Sequence, residues 1–485
     1  MVNHFKRKTI TSIFIMFDLL KYSNNIAIIT DRGESLSYEV LNRDVERFYA
    51  ALPIKGFMFI LCENVLGSFV GYTACMTKHI PSVLLDGSKD LELVLRLIDI
   101  YHPEYLWMPT RRVEEIGGKT IYQYGDFSLQ MMEYADDFTK EQKSISDDLL
   151  LCLTTSGSTG SPKLVRLSLE NLKSNAESIA EYLHIADSER PVTTLPMYYS
   201  FGMSVINSHL IKGATILLTD KAVLQREFWN FTKEQRATSI AGVPYTYEML
   251  KRLRFFRMDL PDMKTMIQAG GKLNAELVKE YVEFAKSTGK QFIVMYGQTE
   301  AAPRMSYLPF ENAIEKNASI GIAIPGGKFS IIDTDGKEID DFDVDGELLY
   351  EGPNVCMGYA ERREDLNLGD ENHGVLHTGD IARKDSEGYY YITGRMKRFV
   401  KIWGNRCNLD ATEQLVKSIT LNCACVGVDD LITVFTTEPG LDCQIKDFLV
   451  EKTGFNPRAF DVRVINDIPK ASSGKIQYPE LQKLL

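Results

Sequence analysis

The first residues able to do chemistry form a run of hydroxyl groups and glycines after a short apolar segment. A strand predicted over Leu149–Leu153 leads into Thr-Thr-Ser-Gly-Ser-Thr-Gly-Ser-Pro-Lys, which ends at Lys163. Such a loop is flexible and rich in hydrogen-bond donors, and its cation suits it to phosphate oxygens. It lacks the Gly-Lys-Ser/Thr order of a Walker A loop. A serine- and glycine-rich linker is the alternative, but a linker would not need the lysine.

A second group of reactive residues follows a predicted strand over Phe292–Met295. The sequence there is Tyr296-Gly-Gln-Thr299-Glu300. An aromatic ring can stack on a purine, a threonine can donate to a phosphate, and a carboxylate can hold Mg²⁺. Upstream, an Ala-Gly-Gly turn at 269–271 would let backbone approach a ligand closely. Ordinary turns are the alternative interpretation of both segments.

Two further charged segments lie closer to the C-terminus. Thr-Gly-Asp at 378–380 precedes Gly-Arg at 394–395 by fourteen residues, counted from Asp380 to Gly394. The segment Pro-Lys-Ala-Ser-Ser-Gly-Lys-Ile begins at 469 and carries Lys475 on a serine- and glycine-containing loop. Taken singly, Asp380 could be a turn residue, and Arg395 and Lys475 could be solvated surface charges.

The elements that must position these residues change character along the chain. Short apolar runs alternate with helical patterns over roughly the first 300 residues, as in Phe57–Leu61, Ala214–Leu218 and the helical pattern Ala275–Ala285. This alternation predicts a largely parallel sheet with helices on its faces. After about residue 325, short strands separated by Asp-Gly turns predict an antiparallel subdomain.

Composition narrows the class of protein. The chain has 55 Lys+Arg and 66 Asp+Glu, a net charge of −11, so no overall field draws it to nucleic acid or anionic lipid. The eight cysteines lack Cys-x-x-Cys spacing, which predicts free buried thiols in a reducing, cytoplasmic compartment. No apolar run is long enough to span a membrane. Residues Ile10, Ile13, Phe14, Phe17 and Leu20 fall on one face and predict a docked amphipathic helix rather than a signal peptide.

Together and in this order, the motifs resemble those of the adenylate-forming superfamily, which includes acyl-CoA synthetases, carrier-protein-loading adenylation domains and luciferases. The resemblance extends over essentially the whole chain and is most like a stand-alone acyl-CoA synthetase. The phosphate loop departs from the family pattern, because Leu164 replaces the usual glycine and Leu169 the usual histidine. Tyr199 stands where many acyl-CoA synthetases have histidine.

The resemblance implies a role for each motif residue. The catalytic residues would be Lys475, Glu300 and Thr299, with Glu300 also the Mg²⁺ ligand. ATP would be bound by Thr155, Ser156, Gly157, Ser158, Thr159, Gly160, Lys163, Gly270, Gly271, Tyr296, Gly297, Asp380 and Arg395. The acid pocket would be lined by Tyr199, Gly202, Met203, Ile206 and Met295. Family members that activate α-amino acids have aspartate at the position of Gly202, so we expect a non-amino carboxylic acid.

The resemblance also implies the fold. It is an α/β fold with an N-terminal AMP-binding domain, residues 1–396, of helix-flanked sheets plus a β subdomain. A small mobile α+β domain, residues 397–485, would follow. Lys397 matches the family hinge, and Lys401 and Gly404 would lie at the tunnel for the thiol.

The implied reaction has two half-reactions. A small-molecule carboxylic acid attacks MgATP to give acyl-adenylate and pyrophosphate, and a phosphopantetheine thiol then takes the acyl group. No carrier domain follows Lys475 in this sequence, so we expect CoA as the thiol donor, with a separate acyl carrier protein as the alternative. A non-catalytic ligand sensor is the remote alternative, but every charged motif residue is present.

Overall fold

The computed structural model describes residues 15–88, 91–133, 145–154, 163–396, 398–471 and 475–485. The strands, in chain order, are β1 (Ile26–Thr30), β2 (Ser35–Ser37), β3 (Met58–Cys62), β4 (Ser82–Asp86), β5 (Tyr105–Pro109), β6 (Lys119–Tyr124), β7 (Phe127–Met131), β8 (Leu149–Thr154), β9 (Leu164–Ser168), β10 (Pro191–Val192), β11 (Ile216–Leu218), β12 (Ser239–Gly242), β13 (Thr265–Gln268), β14 (Gln291–Gly297), β15 (Arg304–Tyr307), β16 (Ile322–Ala323), β17 (Lys328–Ile332), β18 (Gly346–Glu351), β19 (Gly358–Ala360), β20 (Val375–Lys384), β21 (Tyr390–Arg395), β22 (Phe399–Ile402), β23 (Asn405–Asn408), β24 (Cys423–Val428), β25 (Leu431–Thr436) and β26 (Phe460–Val464). The α-helices are α1 (Tyr38–Ala50), α2 (Leu66–Lys78), α3 (Leu91–Tyr101), α4 (Val113–Ile116), α5 (Leu169–Tyr182), α6 (Ser200–Leu210), α7 (Arg226–Glu234), α8 (Pro244–Arg252), α9 (Ala275–Ser287), α10 (Leu409–Val416), α11 (Asp442–Thr453) and α12 (Tyr478–Gln482).

One mixed sheet has the strand order β16-β15-β14-β13-β12-β10-β11-β1-β2. Strands β12, β13 and β14 run parallel, and β15 turns back antiparallel to β14. Parallel neighbours require a crossover, which α8 and α9 supply between these strands. Helix α9 begins where the side chain of Asn274 accepts from the backbone N–H groups of Glu276 and Leu277. The predicted strand over 292–295 is the core of β14.

A second mixed sheet has the order β19-β9-β8-β4-β3-β5-β7-β6. Its central strands β3, β4 and β8 are parallel, and all five residues of β3 are buried. A strand that is covered on both faces has a continuous apolar sequence. This pattern is what predicted β3 and β8. Strand β8 ends at Thr154 and its antiparallel partner β9 begins at Leu164, so Lys163 lies at the start of a strand. The predicted helix-flanked, largely parallel α/β architecture is confirmed.

The predicted antiparallel subdomain is a sheet of order β17-β18-β20-β21. Its pairings are all antiparallel. The register of the last pair sets Asp380 opposite Arg395. Two motifs that are separate in sequence therefore become neighbours across one ladder.

The C-terminal part forms the β22–β23 hairpin and a sheet of order β24-β25-β26, with α10, α11 and α12 packed nearby. It has an apolar core of its own, which includes Val400, Val416, Ile432 and Leu449. It touches the preceding sheet where Asn408 Nδ2 donates to the carbonyl of Thr393 at 2.7 Å.

The predicted N-terminal amphipathic helix is wrong in its described portion, and Ile10, Ile13 and Phe14 lie outside the described residues. Residues 15–18 are not helical, and a short 3₁₀ helix spans Leu19–Tyr22. The Asp18 side chain accepts from the backbone N–H of Lys21 at 3.2 Å, which starts the helix only after this residue. Phe17 is 1% exposed but Leu20 is 61% exposed, so the two do not share a face.

The cysteines follow the prediction of buried thiols. Each of the eight is free, and all but Cys443 are buried. Separately, none of the helices in the described ranges combines the length and the apolar character that a membrane crossing requires.

Candidate active site

One cleft collects residues from four distant parts of the chain. It lies where β13 and β14 end and α6 begins, the edge at which α/β sheets usually bind ligands. The residues that line this cleft are Tyr199, Ser200, Phe201, Ala269, Gly270, Tyr296, Gly297, Gln298, Thr299, Pro303, Arg304 and Lys475. The motif at 296–299, the turn at 269–270 and the C-terminal lysine, which the sequence analysis grouped, are thus brought to one place.

Asp380 lies behind the cleft as a nearly fully buried carboxylate, 1% exposed. Its Oδ2 accepts from the hydroxyl of Tyr296 and from Gln298 Nε2, the latter at 2.9 Å. Its Oδ1 accepts from Arg395 Nε, also at 2.9 Å. Burial and the neighbouring Asp380 raise the pKa of Tyr296 well above its usual range, so this phenol stays a hydrogen-bond donor. The four side chains form one hydrogen-bonded unit that fixes the carboxylate.

Glu300 continues the motif on the other side. Its Oε1 accepts from the hydroxyl of Tyr359 at 3.0 Å. Lys163 Nζ stands 3.6 Å from the centroid of the Tyr359 ring, so this ring separates the cation from the carboxylate. Beside Glu300, the hydroxyl of Thr299 lies 3.1 Å from that of Ser200. Tyr359 thus contacts both Lys163 and Glu300, and the hydroxyls of Thr299 and Ser200 lie next to each other.

Lys475 enters the cleft from the C-terminal part. The backbone N–H of Ala471 donates to its carbonyl at 2.8 Å, and Lys470 and Ile476 form a bridge that brackets it. Its Nζ lies 5.6 Å from the centroid of the Tyr199 ring. Burial, assisted by the like charge of Arg395, lowers the pKa of Lys475 to about 8. The lysine is therefore a cation at pH 7 that can lose its proton at moderately alkaline pH.

Gly270 shows why the turn at 269–271 needs glycine. Its φ of +80° is in the left-handed region, and a β-carbon there would come within 2.7 Å of the Tyr199 hydroxyl. The same β-carbon would lie 3.9 Å from Lys475 Cε. Gly271 follows it but does not line the cleft. Gly270 therefore leaves the space in which the lysine and the tyrosine meet.

The residues expected to line an acid pocket divide into two groups. Tyr199 lines the cleft, whereas Met203 and Ile206 pack into the large core beside the second sheet. Met295 belongs to the apolar cluster that also contains Phe201 and Ala269. A β-carbon on Gly202 would collide with the carbonyl oxygen of Pro196, so this position holds no side chain that could reach the cleft.

Other expected residues lie elsewhere. Thr155, Ser156, Gly157, Ser158, Thr159, Gly160 and Lys397 are outside the described residues. Lys401 and Gly404 are exposed on the β22–β23 hairpin and do not line the cleft. In the described structure the C-terminal part thus contributes Lys475 and not this hairpin.

Sequence reasoning missed several cleft residues. Ser200, Phe201 and Pro303 carry no pattern that marks them as functional. Gln298 occupies the variable position of the motif at 296–300, so the motif assigns it no role. Arg304 had a usable signal, because it is a charge at the start of an otherwise uncharged strand, Arg304–Tyr307.

Comparisons with known proteins show which proteins the chain is similar to. The chain is 28% identical over 303 residues to a feruloyl-CoA synthase of Amycolatopsis sp, a match that covers 62% of this chain and 60% of that protein. It is 28% identical over 366 residues to a long-chain-fatty-acid–CoA ligase of Escherichia coli O157:H7, covering 70% of this chain and 62% of that protein. The chain thus spans about three fifths of the length of these curated relatives.

Among solved structures, the fold is similar to that of the o-succinylbenzoate CoA synthetase of Bacillus subtilis in complex with its acyl-adenylate. The TM-score is 0.77 with 19% sequence identity, and the match covers 96% of this chain and 97% of that one. This likeness shows that the two proteins share a fold over nearly their whole length. The sequence profile of the AMP-binding enzymes matches residues 19–360. With more than half of its length inside that match, the chain belongs to the AMP-binding enzyme family.

Proposed function

We propose that this protein is an acid–thiol ligase that activates a carboxylic acid with ATP and transfers the acyl group to CoA. In the first half-reaction a carboxylate oxygen attacks the α-phosphorus of ATP, the bond to the β-phosphate oxygen breaks, and pyrophosphate leaves. In the second, the thiol sulfur attacks the acyl carbonyl, and AMP leaves with the bonding electron pair. The observation that carries the proposal is the meeting of Lys475 with the 296–299 segment in one cleft.

Lys475 is the residue we assign to charge stabilisation in the first half-reaction. A carboxylate attacking a triphosphate brings two anions together, so a cation placed where negative charge accumulates lowers the barrier. The low dielectric around a buried lysine strengthens that effect. Thr299 and Ser200 would donate to phosphate oxygens from their paired hydroxyls.

The nucleotide would be bound by the unit around Asp380. Its carboxylate has lone pairs beyond the three bonds it already accepts, and ribose hydroxyls are the matching donors. Tyr296 would contact the purine, and the Gly270–Gly271 turn would admit it. Lys163 and the hydroxyl-rich segment 155–160 would bind the phosphates.

Magnesium fits Glu300 in this chain. Protein-bound Mg²⁺ usually takes one or two carboxylates, substrate phosphates and waters. Across the described ranges no group of three or more His, Cys, Asp or Glu side chains suits a metal, so the ion would rely on Glu300 and the phosphates. When bound, it would neutralise charge on the triphosphate.

We further propose the division 1–396 and 397–485, with Lys397 as the pivot. Rotation of the C-terminal domain about this pivot would take Lys475 out of the cleft and bring the hairpin residues Lys401–Gly404 to the thiol tunnel. The separate apolar core of the C-terminal part supports this division. The cytoplasm is the compartment we propose, because it supplies ATP, CoA and a reducing environment for the cysteines.

Acid-dependent pyrophosphate release tests the activity directly. A panel of aliphatic, aromatic and amino acids should give release with non-amino acids, because Gly202 offers no anion for a substrate ammonium. Product analysis with CoA and with a phosphopantetheinylated acyl carrier protein then identifies the acceptor. Release without any acid, or faster release with amino acids than with their deamino analogues, would contradict the proposal.

A further inference from the structure

Arg304 is a buried cation at the cleft that the reaction described above does not use. It begins β15, is 2% exposed, and is one of the residues lining the cleft. Its backbone is held firmly, since its carbonyl accepts from Asn175 Nδ2 at 2.8 Å and from Asn354 Nδ2 at 3.1 Å. The backbone from which the side chain extends is therefore held by two buried asparagines.

The contacts of its guanidinium are with uncharged groups, and they include a hydrogen bond with the Tyr182 phenol. Nε donates to Ser204 Oγ at 3.2 Å, and Nη1 points at Met295 Sδ, also at 3.2 Å. The Phe201 ring lies 5.1 Å from Cζ. Nη2 is buried and has no hydrogen-bond partner within the described residues. In that part of the chain no carboxylate forms an ion pair with Arg304 either.

Two other buried arginines of this protein do form ion pairs with carboxylates. Arg166 pairs with Glu371 at 2.6 Å, and Arg363 pairs with Glu104 at 2.6 Å. The titratable groups near Arg304 supply no such anion. Burial lowers the pKa of His209 to about 4. Burial also raises the pKa of Tyr182, although the charge of Arg304 and a hydrogen bond with it oppose that rise, so both groups are neutral at pH 7.

An always-charged guanidinium that is buried without an anion is costly. Proteins keep such groups where a ligand supplies the missing partner, because stability is exchanged for function at binding sites. The surrounding wall is apolar, with Phe201 and Ala269 in one cluster. Together these features describe a pocket for an acid with an apolar body and one further anionic group.

We expect the anion that pairs with Arg304 to differ from the carboxylate that is activated. Ser200, at the first turn of α6, contacts Thr299, whereas Arg304 contacts Ser204. Ser204 lies four residues further along the helix, which corresponds to about 6 Å. We propose, building on the proposed function, that Arg304 binds a second carboxylate of the substrate, so that the preferred acids are dicarboxylates activated at one end only.

The test compares matched acids that differ only in the second carboxylate, such as adipate with hexanoate and phthalate with benzoate. Acid-dependent pyrophosphate release is measured for wild type, Arg304→Met and Arg304→Lys. Arg236→Met is the control, because Arg236 is an exposed arginine outside the cleft. We expect wild type to prefer each diacid. The kcat/KM ratio of diacid to monoacid should fall at least about 30-fold in Arg304→Met, recover in part in Arg304→Lys, and persist in Arg236→Met.

Thermal unfolding separates ligand binding from a structural role. Removal of a buried charge that lacks an anion should leave the melting temperature of Arg304→Met unchanged or raised. A lower melting temperature with an unchanged diacid ratio would make the arginine structural and overturn the inference. An equal loss of kcat/KM for diacid and monoacid would assign Arg304 to the reacting carboxylate and would also overturn the inference. A wild-type preference for monoacids would overturn it as well.

A binding measurement keeps this inference separate from the proposed function. If no acid in the panel releases pyrophosphate from wild type, the proposed activity fails. Calorimetric titration of the same acids in the presence of a non-hydrolysable ATP analogue then decides the role of Arg304. Diacid binding that is lost in Arg304→Met supports the inference, and absence of such binding overturns it.

Discussion

Arg395 donates from Nε to Oδ1 of Asp380 at 2.9 Å, and the two residues face each other across the paired strands β20 and β21. Tyr296 and Gln298 hold the other carboxylate oxygen. A side chain fixed at both oxygens is oriented before any ligand arrives, so binding costs it little conformational entropy. The β subdomain thus places the ordered carboxylate of Asp380, a hydrogen-bond acceptor, next to the end of the parallel strand β14.

Asp380→Ala should raise the KM for ATP. Loss of charge-assisted bonds of this type is worth on the order of 1.5–3 kcal/mol, which corresponds to about 10- to 100-fold in affinity. Pyrophosphate release at varied ATP measures it. Asp385→Asn is the matched control, because Asp385 directly follows the same strand, accepts from Lys316 Nζ at 2.8 Å and lies outside the cleft. An ATP dependence like that of wild type would contradict the assignment of Asp380.

Lys475→Ala should abolish acyl-adenylate formation while ATP binding persists. Transfer from pre-formed acyl-adenylate to CoA should continue, since we propose that the lysine has left the cleft by then. Stopped assays of each half-reaction measure this. Lys470→Ala serves as control, because Lys470 lies on the same segment but its Nζ stands over the Tyr245 ring at 4.1 Å. Unchanged pyrophosphate release in Lys475→Ala would refute the role.

The pH dependence of the first half-reaction should report the titration of Lys475. Its pKa is lowered to about 8, so the catalytic cation is complete at pH 7 and is lost as pH rises through 8. The kcat/KM for pyrophosphate release should therefore fall on the alkaline side with a midpoint near 8. In Lys475→Arg the alkaline decrease in kcat/KM should shift to higher pH, because arginine keeps its charge. A profile that stays flat to about pH 10 would exclude a lowered lysine pKa as its cause.

Gly270→Ala should impair activity more than its backbone strain explains. The new β-carbon would stand 2.7 Å from the Tyr199 hydroxyl and so disturb the neighbours of Lys475. Gly289→Ala is the control, because Gly289 also has a positive φ but nothing within 4 Å of its β-carbon position. Both variants should lose about 1–2 kcal/mol of stability, measured by denaturant unfolding. Only Gly270→Ala should lose at least tenfold in pyrophosphate release; equal losses would assign the effect to the backbone.

Lys397→Pro should separate the two half-reactions. Proline fixes φ at the proposed pivot, so adenylation persists if the chain is locked with Lys475 in the cleft, and thioester formation falls. Lys397→Ala, which removes the charge but leaves the backbone free, is the control. Equal loss of both half-reactions in the proline variant would argue against a hinge at this residue.

The buried parallel strands could be predicted because their surroundings leave a mark in the sequence. Strand β3 is covered on both faces and is apolar throughout, and the cap at Asn274 marks the start of α9. The convergence of the 296–300 motif with Lys475 was expected from family order alone. Distance between them could not be derived from spacing, since it depends on how the C-terminal part packs.

The sequence pattern of α6 does not indicate which residues would line an acid pocket, for a physical reason. Every residue of α6 is buried, and a helix buried all round has no polar face to indicate which side meets a ligand. Met203 and Ile206 were assigned to the pocket from the family resemblance alone; the fold packs both into the core, and their assignment stays a prediction. Arg304 comes from a neighbouring strand, and its lack of an acid partner is visible only in three dimensions.

The close approach of Gly202 to Pro196 bears on how the proposed specificity for non-amino acids could change over evolution. Any side chain at 202 would meet the Pro196 carbonyl, and close-packed interiors do not yield to such a clash. An aspartate that could accompany a substrate ammonium would first require a shift of the backbone around Pro196. Conversion to amino-acid activation is therefore not one substitution away, because the intermediate sequence would have to rebuild this turn before it gained a new substrate.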